Sequence, residues 1–258
     1  MVLWLQEGVT YGPIHSRRLG HSLGINLLPD NYKLCSFDCV YCQYGRTEVK
    51  ALSPEPDRFR DIDWVLRAIE IGLLMYGDRI DYVTFSGNGE PTLHPDFPSI
   101  VSAVRDLRDR LCPEVKLAIF SNSTTAHLPP IRDTLALFDA PIMKVDAGDS
   151  ETLARINRPD PAAKLEHIIE GLKQVPGLIV QSVLIDGQVT NIKGPAYQAW
   201  LAALTELRPT QIQIYSTDRP VAEPGVKRVP PATLRHIARY VKERAGLQID
   251  AYWSSGHE

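Results

Sequence analysis

Residues 34–43 have the sequence LCSFDCVYCQ and carry Cys35, Cys39 and Cys42 in C-x3-C-x2-C spacing. This spacing puts three thiols on one short loop. Structural zinc usually takes four ligands as two pairs, whereas three clustered thiolates suit a cubane iron–sulfur cluster with one iron left uncapped. An uncapped iron is a place where a small molecule can bind and react.

A disulfide framework and a zinc site are the two alternatives to a cluster at these cysteines. Three close cysteines cannot all pair with one another, and Cys112 is the only other thiol, so a disulfide framework is disfavoured. Zinc would need a fourth ligand from elsewhere in the chain, with His21, His94 and the aspartates as available donors. The spacing alone leaves the zinc alternative open.

Length and composition predict one domain over residues 1–258, with a lead-in at 1–23 and a C-terminal loop, helix and tail at 216–258. The 258 residues are 44% hydrophobic and 23% charged, which suffices for one large core. No apolar run approaches the ~20 residues that span a bilayer, so we expect a cytoplasmic protein without membrane association. A formal net charge of −3 argues against a large nucleic-acid footprint, and no DNA partner is expected.

Apolar, strand-like runs alternate with amphipathic helical windows along the chain. The predicted strands are residues 24–28, 82–86, 116–120, 142–146, 179–185 and 211–215. Helical spacing follows, as in residues 97–111 and 165–172, and a last helix is predicted to begin at Pro231 and end at Gly246. Six βα units fall short of the eight that close a full barrel. The predicted fold is therefore α/β, an open partial (β/α)6 barrel with a parallel sheet.

Polar stretches, three of which contain glycine, come directly after the predicted strands. They are residues 86–92, 121–124, 146–149, 186–187 and 216–220, and the cysteine loop follows the first strand in the same way. Functional residues of such sheets gather beyond the carboxyl ends of the strands. We therefore expect all candidate chemistry to converge on one mouth of the barrel.

The cysteine motif after the first strand and the run Gly-Asn-Gly-Glu-Pro at 87–91 together resemble the radical S-adenosylmethionine (SAM) superfamily. Within it, residues 12–26 (GPIHSRRLGHSLGIN) and the cysteine loop are similar to iron–sulfur proteins related to the tRNA wybutosine (4-demethylwyosine) synthases. The resemblance covers nearly the whole chain.

The resemblance implies a [4Fe-4S] cluster held by Cys35, Cys39 and Cys42, with SAM chelating the fourth iron. It also implies reductive cleavage of SAM to a 5′-deoxyadenosyl radical, which abstracts hydrogen from a substrate that the sequence does not identify: an RNA base, a small molecule or a peptide. An external electron donor of flavodoxin or ferredoxin type is expected. A non-catalytic metal-binding protein, holding zinc or passing electrons, is the rival interpretation.

Five residues match the superfamily's SAM contacts in the first half of the chain. Tyr41 stands where an aromatic lies beside the adenine, although a tyrosine here can also simply pack. Gly87, Asn88, Gly89 and Glu90 match the run that receives the methionine amino group, since glycines let the backbone approach and a carboxylate complements an ammonium. Asn88 departs from the glycine found in many members.

Further contacts are expected after the third and fourth strands. Lys144 and Asp146 lie two apart and would share one face of a strand, so the resemblance gives Lys144 the SAM carboxylate and Asp146 the ribose hydroxyls. The alternative is that the two side chains pair with each other. Ser121 and Asn122 are candidate ribose or carboxylate contacts, and a helix N-cap is the alternative for Ser121 or Ser123.

The remaining candidates surround the predicted mouth. Four basic residues precede the first strand, namely His15, Arg17, Arg18 and His21. They either contact an anionic substrate or form a solvated basic loop. Asp218 and Arg219 are candidate gates on the substrate side, and residues 220–231 are interpreted as a lid or a connector.

Cysteine count separates this chain from the wybutosine reaction. That family, as the resemblance implies, holds a second iron–sulfur cluster on additional cysteines. Here Cys112 is the only thiol outside the motif, and it is more consistent with a small buried apolar residue than with a ligand. One cluster per chain is therefore expected.

Overall fold

The computed structural model of the chain describes residues 2–53, 55, 59–219 and 221–254. The strands in these ranges are β1 (Thr10–Ser16), β2 (Gly20–Ile25), β3 (Leu34–Cys35), β4 (Val49–Lys50), β5 (Tyr82–Phe85), β6 (Lys116–Ser121), β7 (Ala140–Lys144), β8 (Ile179–Val183), β9 (Ile185–Gly187), β10 (Gln211–Tyr215), β11 (Val226–Arg228) and β12 (Ile249–Tyr252). The α-helices are α1 (Ile62–Tyr76), α2 (Phe97–Leu111), α3 (Pro129–Leu135), α4 (Ser150–Ile156), α5 (Leu165–Leu172), α6 (Gly194–Leu207) and α7 (Pro231–Ala245). None of the helices described is long and apolar enough to cross a bilayer.

One eight-stranded sheet organises the fold, in the order β1-β2-β5-β6-β7-β8-β10-β12. The β1–β2 pair is antiparallel, and every other neighbouring pair is parallel. Strands β2, β5, β6, β7, β8 and β10 are the six strands of the predicted βα units. The predicted open (β/α)6 barrel is therefore confirmed, with β12 added as a seventh parallel strand and β1 as an antiparallel edge.

The sequence did not predict β1 because its residues lack an alternating apolar pattern. The strand has the sequence TYGPIHS, four of its seven side chains are exposed, and its register shifts between Tyr11 and Ile14. Glycine and proline are depleted in strands and confine a strand that contains them to a sheet edge. β1 lies at such an edge.

The first parallel strand lies earlier than predicted. It spans Gly20–Ile25 rather than 24–28, although Leu27 and Leu28 are only 1% exposed. After the strand ends, the side chain of Asn26 bonds to both the N–H and the carbonyl of Leu28, and the chain turns out of the sheet. The apolar run at residues 24–28 therefore indicates that Leu27 and Leu28 are buried, and not that they pair in a strand.

The fourth parallel strand ends at Lys144, so Asp146 lies beyond it rather than on it. Asp146 Oδ1 accepts the N–H of Val183 at 2.7 Å, where a side-chain carboxylate bonds a backbone N–H of the neighbouring strand. The predicted strand 179–185 is also divided into β8 and β9 at Leu184. A side chain that bonds neighbouring backbone in this way ends regular pairing.

Helix ends follow the predicted signals. α7 begins at Pro231 and stops at Gly246, whose φ of +65° is left-handed and suits glycine. α2 ends at Cys112, which is half-buried and packs against the core. Within the predicted lid or connector, β11 pairs antiparallel with β9, while Pro220 lies outside the described residues. This pairing fixes the middle of the connector beside the mouth of the barrel.

Candidate functional site

The three cysteines of the motif line one cavity of about 560 Å³ inside the barrel. Cys35 is buried on β3, while Cys39 and Cys42 are half-buried on the loop that follows. The loop comes after β2, so it lies beyond the carboxyl end of a parallel strand, where such barrels place their functional residues. The predicted convergence on one mouth is observed for the cysteine loop.

Backbone hydrogen bonds hold the cysteine loop on two sides. The N–H of Val40 donates to the carbonyl of Ile156 at 2.9 Å, and the N–H of Asp38 donates to the carbonyl of Asn157 at 2.9 Å. On the other side, the N–H of Leu34 donates to the carbonyl of Asn88 at 3.1 Å. The loop is thus fixed by the end of α4 and by the glycine-containing run after β5, which pre-orders the thiols for a ligand.

Hydrogen-bond donors point at two of the three sulfur atoms. Cys35 Sγ accepts from the N–H of Phe37 and from Asn122 Nδ2, each at 3.4 Å, and Cys39 Sγ accepts from Asn157 Nδ2 at 3.3 Å. Burial raises the pKa of Cys35 to about 12 and that of Cys39 to about 11. Metal binding at these sulfurs therefore displaces protons, and the amide donors favour the resulting thiolate charge.

Lys33 is a buried cation next to the thiols, only 3% exposed, and its Nζ donates to the carbonyl of Gly45 at 2.9 Å. Burial disfavours its ammonium, but Cys42 and Cys35 outweigh burial and raise the pKa of Lys33. The ammonium of Lys33 is thus placed to compensate the negative charge that these sulfurs acquire when they bind a metal. Lys33 was not a sequence candidate, because a single lysine before a cysteine motif has no distinctive spacing.

No three His, Cys, Asp or Glu side chains in the described part of the chain converge as ligands of a single metal ion. The cysteines of a cubane each bind a different iron and so need not meet at one point. This geometry bears on a zinc site, whose ligands must surround one ion. It does not test a cluster at Cys35, Cys39 and Cys42.

Gly87 and Gly89 permit a close backbone crossing. Their φ angles are +126° and +148°, in the region that favours glycine. A Cβ atom on Gly87 would lie 2.5 Å from Asn26 Oδ1, and one on Gly89 would lie 1.6 Å from the carbonyl oxygen of Leu34. Both glycines line the cavity, so the run combines a tight packing role with backbone groups that face the cavity.

Glu90 lines the cavity but is only 1% exposed. Its Oε1 accepts from Thr92 Oγ1 at 2.6 Å and Ser121 Oγ at 2.9 Å, and its Oε2 accepts from the N–H of Asn122 at 2.5 Å. Burial raises the pKa of Glu90, and the hydrogen bonds from Asn122 and Thr92 oppose that shift. The carboxylate is thus oriented rigidly by its neighbours.

Ser121 and Asn122 both line the cavity and connect β6 to the other parts of the site. Besides its bond to Glu90, Ser121 Oγ accepts the N–H of Ser123 at 3.0 Å, and Ser123 Oγ donates to the carbonyl of Lys144 at 2.9 Å. The N-cap alternative for these serines is wrong, because α3 begins only at Pro129. Asn122 Nδ2 donates to Ser36 Oγ at 2.8 Å as well as to Cys35.

Lys144 lies at the edge of the cavity with its side chain 18% exposed. Its Nζ is buried, has no hydrogen-bond partner among the described residues, and lies 3.9 Å from Asp146 Oδ1. Burial disfavours the ammonium, but Asp146, Tyr215 and Cys39 together outweigh burial and raise the pKa of Lys144. Lys144 therefore remains charged and has donors to spare, 5.3 Å from the Tyr41 ring and 5.7 Å from the Tyr215 ring.

Asp146 is 2% exposed and does not line the cavity. Its Oδ2 accepts from Asn157 Nδ2 at 2.7 Å and from the hydroxyl of Tyr41. Tyr41 itself lines the cavity, so its ring separates Asp146 from the open space. In this structure Asp146 positions Tyr41 and the ammonium of Lys144 rather than facing a ligand.

Asn88 is also absent from the cavity lining. It is completely buried, its Nδ2 donates to the carbonyls of Gln6 and Pro29, and its Oδ1 accepts the N–H of Gln6. The asparagine thus fastens the N-terminal segment to the glycine-containing run. Ten of the twelve predicted site residues share one cavity: Cys35, Cys39, Cys42, Tyr41, Gly87, Gly89, Glu90, Ser121, Asn122 and Lys144.

Sequence reasoning missed the buried polar residues that hold this site. Asn157 bonds Cys39, Tyr41 and Asp146 at once, and Ser36 bonds both Asn122 and Thr124. The only available signal was that polar residues within otherwise apolar surroundings need partners. That rule says that partners exist and does not say which residues they are.

The site is a partial barrel with three thiols, and with a lysine that has no hydrogen-bond partner among the described residues, around one cavity. The comparisons identify the class of proteins to which this arrangement belongs. The family model described as the Radical SAM superfamily matches residues 32–190, which is more than half of the chain. The chain belongs to the radical SAM superfamily. The superfamily's cofactors are SAM and a [4Fe-4S] cluster. The three thiols and the lysine ammonium of this cavity fit both.

A sequence relative is the UPF0026 protein MJ1312 of Methanocaldococcus jannaschii, 34% identical over 225 residues. The alignment covers 85% of this chain but 66% of that protein, so the chain spans just under two thirds of the relative's length.

Two solved structures share the fold. A radical SAM methyltransferase from Sphaerobacter thermophilus superposes with a TM-score of 0.67 at 13% identity, covering 91% of this chain and 67% of that one. A structure of TYW1 with a lysine-pyruvate adduct gives 0.62 at 16% identity, covering 88% and 74%. The predicted relationship to the wybutosine synthases is confirmed at the level of superfamily and fold.

Proposed function

We propose that this protein cleaves SAM reductively and uses the resulting 5′-deoxyadenosyl radical to abstract hydrogen from a substrate. The observation that carries the proposal is the ammonium of Lys144, which shares the cavity of Cys35, Cys39 and Cys42 and has no hydrogen-bond partner among the described residues. Its ion pair with Asp146, at 3.9 Å, leaves its N–H donors unused. A buried ammonium without hydrogen-bond partners costs free energy, which an anionic ligand would recover. When bound at the three thiolates, a [4Fe-4S] cluster supplies the electron for this cleavage.

The residues of the cavity then divide between the two ends of SAM. Lys144 binds the carboxylate of the methionine moiety through a charge-assisted hydrogen bond. Gly87 and Gly89 let their backbone approach the methionine ammonium, and Glu90 complements its charge. The Tyr41 ring, fixed by Asp146, offers a flat apolar face to the adenine.

Neighbouring residues orient these groups. Ser121 and Asn122 hold Glu90 in place, and Asn122 also donates to Cys35 Sγ. Such rigid support places binding groups before the ligand arrives, which lowers the entropic cost of binding. Asp146 is assigned to the same supporting layer, which changes its sequence-derived role as a ribose contact.

The reaction needs a one-electron reductant, and we propose an external donor of flavodoxin or ferredoxin type. The resemblance to wybutosine synthases favours an RNA base as the hydrogen donor. The formal net charge of −3 gives no general attraction to RNA, so a small molecule or a peptide is the alternative.

Anaerobic reconstitution with iron and sulfide, followed by SAM and dithionite, tests the proposal. We expect a brown protein that binds SAM and releases 5′-deoxyadenosine. The rival, a non-catalytic metal protein, predicts either stoichiometric zinc in colourless protein or an iron–sulfur chromophore that leaves SAM intact. Either of those two results would refute the enzymatic proposal.

A further inference from the structure

Arg18 is a second cation of the cavity with a buried nitrogen that has no hydrogen-bond partner among the described residues, and the SAM assignment does not use it. Its side chain lines the cavity, its Nε is buried without a partner, and it forms no salt bridge among the described residues. Its Cζ lies 4.7 Å from the ring centre of Tyr215, 5.8 Å from that of Tyr252 and 5.9 Å from that of Phe120. Three aromatic rings thus hold one guanidinium.

Aromatic contacts leave the hydrogen-bonding edge of a guanidinium unsatisfied. Cation–π attraction acts on the face of the group, whereas its N–H donors project in its plane as a rigid fork. Such a fork matches the two oxygens of a carboxylate or a phosphate. The rings around Arg18 therefore fix its direction and leave its donors free for an oxyanion.

The nearby carboxylate of Asp218 does not neutralise Arg18. Asp218 Oδ2 accepts from Arg17 Nη2 at 3.1 Å, and its Oδ1 accepts from Arg228 Nη2 at 2.8 Å. The N–H of Ser254 adds a third hydrogen bond at 2.9 Å. The single negative charge of Asp218 is thus already shared by Arg17 and Arg228, so the positive charge of Arg18 remains uncompensated.

Arg18 enters the cavity from a different end of the sheet than the cysteines. It lies in the turn between Ser16 and Gly20, before β2 begins, whereas the cysteine loop follows the end of β2 at Ile25. The strand separates the two ends by roughly 16 Å at 3.3 Å per residue. The two loops thus start from opposite ends of one strand, but the Arg18 guanidinium extends to the Tyr215 ring, and the Lys144 ammonium lies 5.7 Å from the centre of that same ring. With Lys144 assigned to the SAM carboxylate, Arg18 is left for the anionic group of a second molecule bound next to SAM.

We propose that Arg18 binds an anionic group, a carboxylate or a phosphate, of the substrate from which hydrogen is abstracted. The inference rests on the proposed function, because it takes Lys144 as the partner of the SAM carboxylate. It assigns the substrate to a chemical class, and it makes Arg18 a residue that determines specificity.

Anion binding to the reconstituted protein tests the assignment with inorganic phosphate and acetate as probes. Thermal unfolding is followed under argon at constant ionic strength, with chloride as the reference salt and no reductant. We expect one of the anions to raise the melting temperature of the wild-type protein. Arg18→Gln should weaken that binding about tenfold or more, since a charge-assisted hydrogen bond is lost. A response to phosphate indicates a phosphorylated substrate, and a response to acetate indicates a carboxylate.

Arg235→Gln is the matched control, because Arg235 also lies over an aromatic ring, 5.2 Å from Trp253, but does not line the cavity. It should bind the probe as the wild-type protein does, and Arg18→Lys should retain part of the binding. No anion effect beyond chloride, or an equal effect in Arg18→Gln, would overturn the assignment.

SAM binding separates this inference from the proposed function. Arg18→Gln should bind SAM like the wild-type protein, whereas Lys144→Met should lose SAM affinity and keep the anion response. If Arg18→Gln loses SAM affinity instead, Arg18 belongs to the SAM site and the substrate assignment is wrong. If Lys144→Met binds SAM normally while Arg18→Gln loses the anion response, the SAM assignment fails and the anion site stands.

Discussion

Gly89 lies against the carbonyl of Leu34 so closely that a Cβ atom would stand 1.6 Å from the oxygen. The N–H of Glu90 donates to the same carbonyl at 3.2 Å, and the N–H of Leu34 donates to the carbonyl of Asn88 at 3.1 Å. The glycine-containing run and the cysteine loop therefore form one unit. The backbone geometry of the glycine-containing run and the positions of the thiols therefore depend on each other.

Replacing Gly89 with alanine should disturb this unit. The φ of +148° costs strain for alanine, and the clash with Leu34 adds displacement of the cysteine loop. We expect lower stability in urea unfolding and a reduced iron content after reconstitution. Gly177→Ala is the control, because Gly177 also has a positive φ but no atom lies within 4 Å of the position that a Cβ would take there. Equal losses in both variants would show that strain alone, and not the Leu34 contact, matters.

Lys144→Met should weaken SAM binding about 10- to 100-fold, since the loss of a charge-assisted hydrogen bond costs about 1.5–3 kcal/mol. The cluster should remain, because Lys144 supplies no ligand to it. Equilibrium dialysis with labelled SAM measures the affinity, and the exposed Lys242 provides the control variant Lys242→Met. Unchanged SAM affinity in Lys144→Met would place the SAM carboxylate elsewhere.

His94 gives the apoprotein a pH-dependent stability. The residue is 2% exposed, its ring centre lies 4.7 Å from that of Phe59, and its Nδ1 accepts the N–H of Asp96 at 3.1 Å. Burial lowers the pKa of His94 from 6.5 to about 4. The unfolded chain therefore takes up this proton at a higher pH than the folded chain does.

The contribution of His94 to stability is complete above pH 6.5 and is lost as the pH falls toward 4. At 1.36 kcal/mol per pKa unit, the loss amounts to at most about 3 kcal/mol. Urea unfolding of the apoprotein at several pH values measures it as the difference between wild type and His94→Gln, in which other groups cancel. The exposed His236 supplies the control His236→Gln. A difference that does not change with pH would contradict the burial argument.

Full reconstitution should give about four irons per chain rather than about eight. The chain has four cysteines, and three of them line the cavity, so Cys112 is the single remaining thiol. One thiol cannot supply the usual four ligands of a second cubane. We accordingly expect no pyruvate-dependent product with tRNA that carries N1-methylguanosine. Iron near eight, or such a product, would restore a closer kinship to the wybutosine reaction.

The sequence was most informative where spacing alone carries chemistry. The spacing of Cys35, Cys39 and Cys42 predicted that the three thiols lie together, and they line one cavity. The alternation of strands and helices predicted the parallel sheet. The loops after β5 and β6 were placed correctly at the mouth because strand order fixes where carboxyl ends meet. These features depend on neighbours in sequence.

Features that depend on tertiary partners could not be predicted. Asn88 and Asp146 stand at positions typical of ligand contacts, but each is turned inward by bonds to residues distant in sequence, such as Gln6 and Val183. The sequence does not decide whether Arg18 binds a substrate or is solvated, because only the folded chain brings Phe120, Tyr215 and Tyr252 around it. The spacing of residues along the chain does not indicate such tertiary contacts.

Release of 5′-deoxyadenosine by single cysteine variants tests the central claim most directly. Cys35→Ser, Cys39→Ser and Cys42→Ser should each lose the brown chromophore and SAM cleavage together, because a hydroxyl is a poor replacement for a soft thiolate. Cys112→Ser should keep both, since Cys112 lies outside the cavity. SAM cleavage by Cys39→Ser at the wild-type rate would contradict the account.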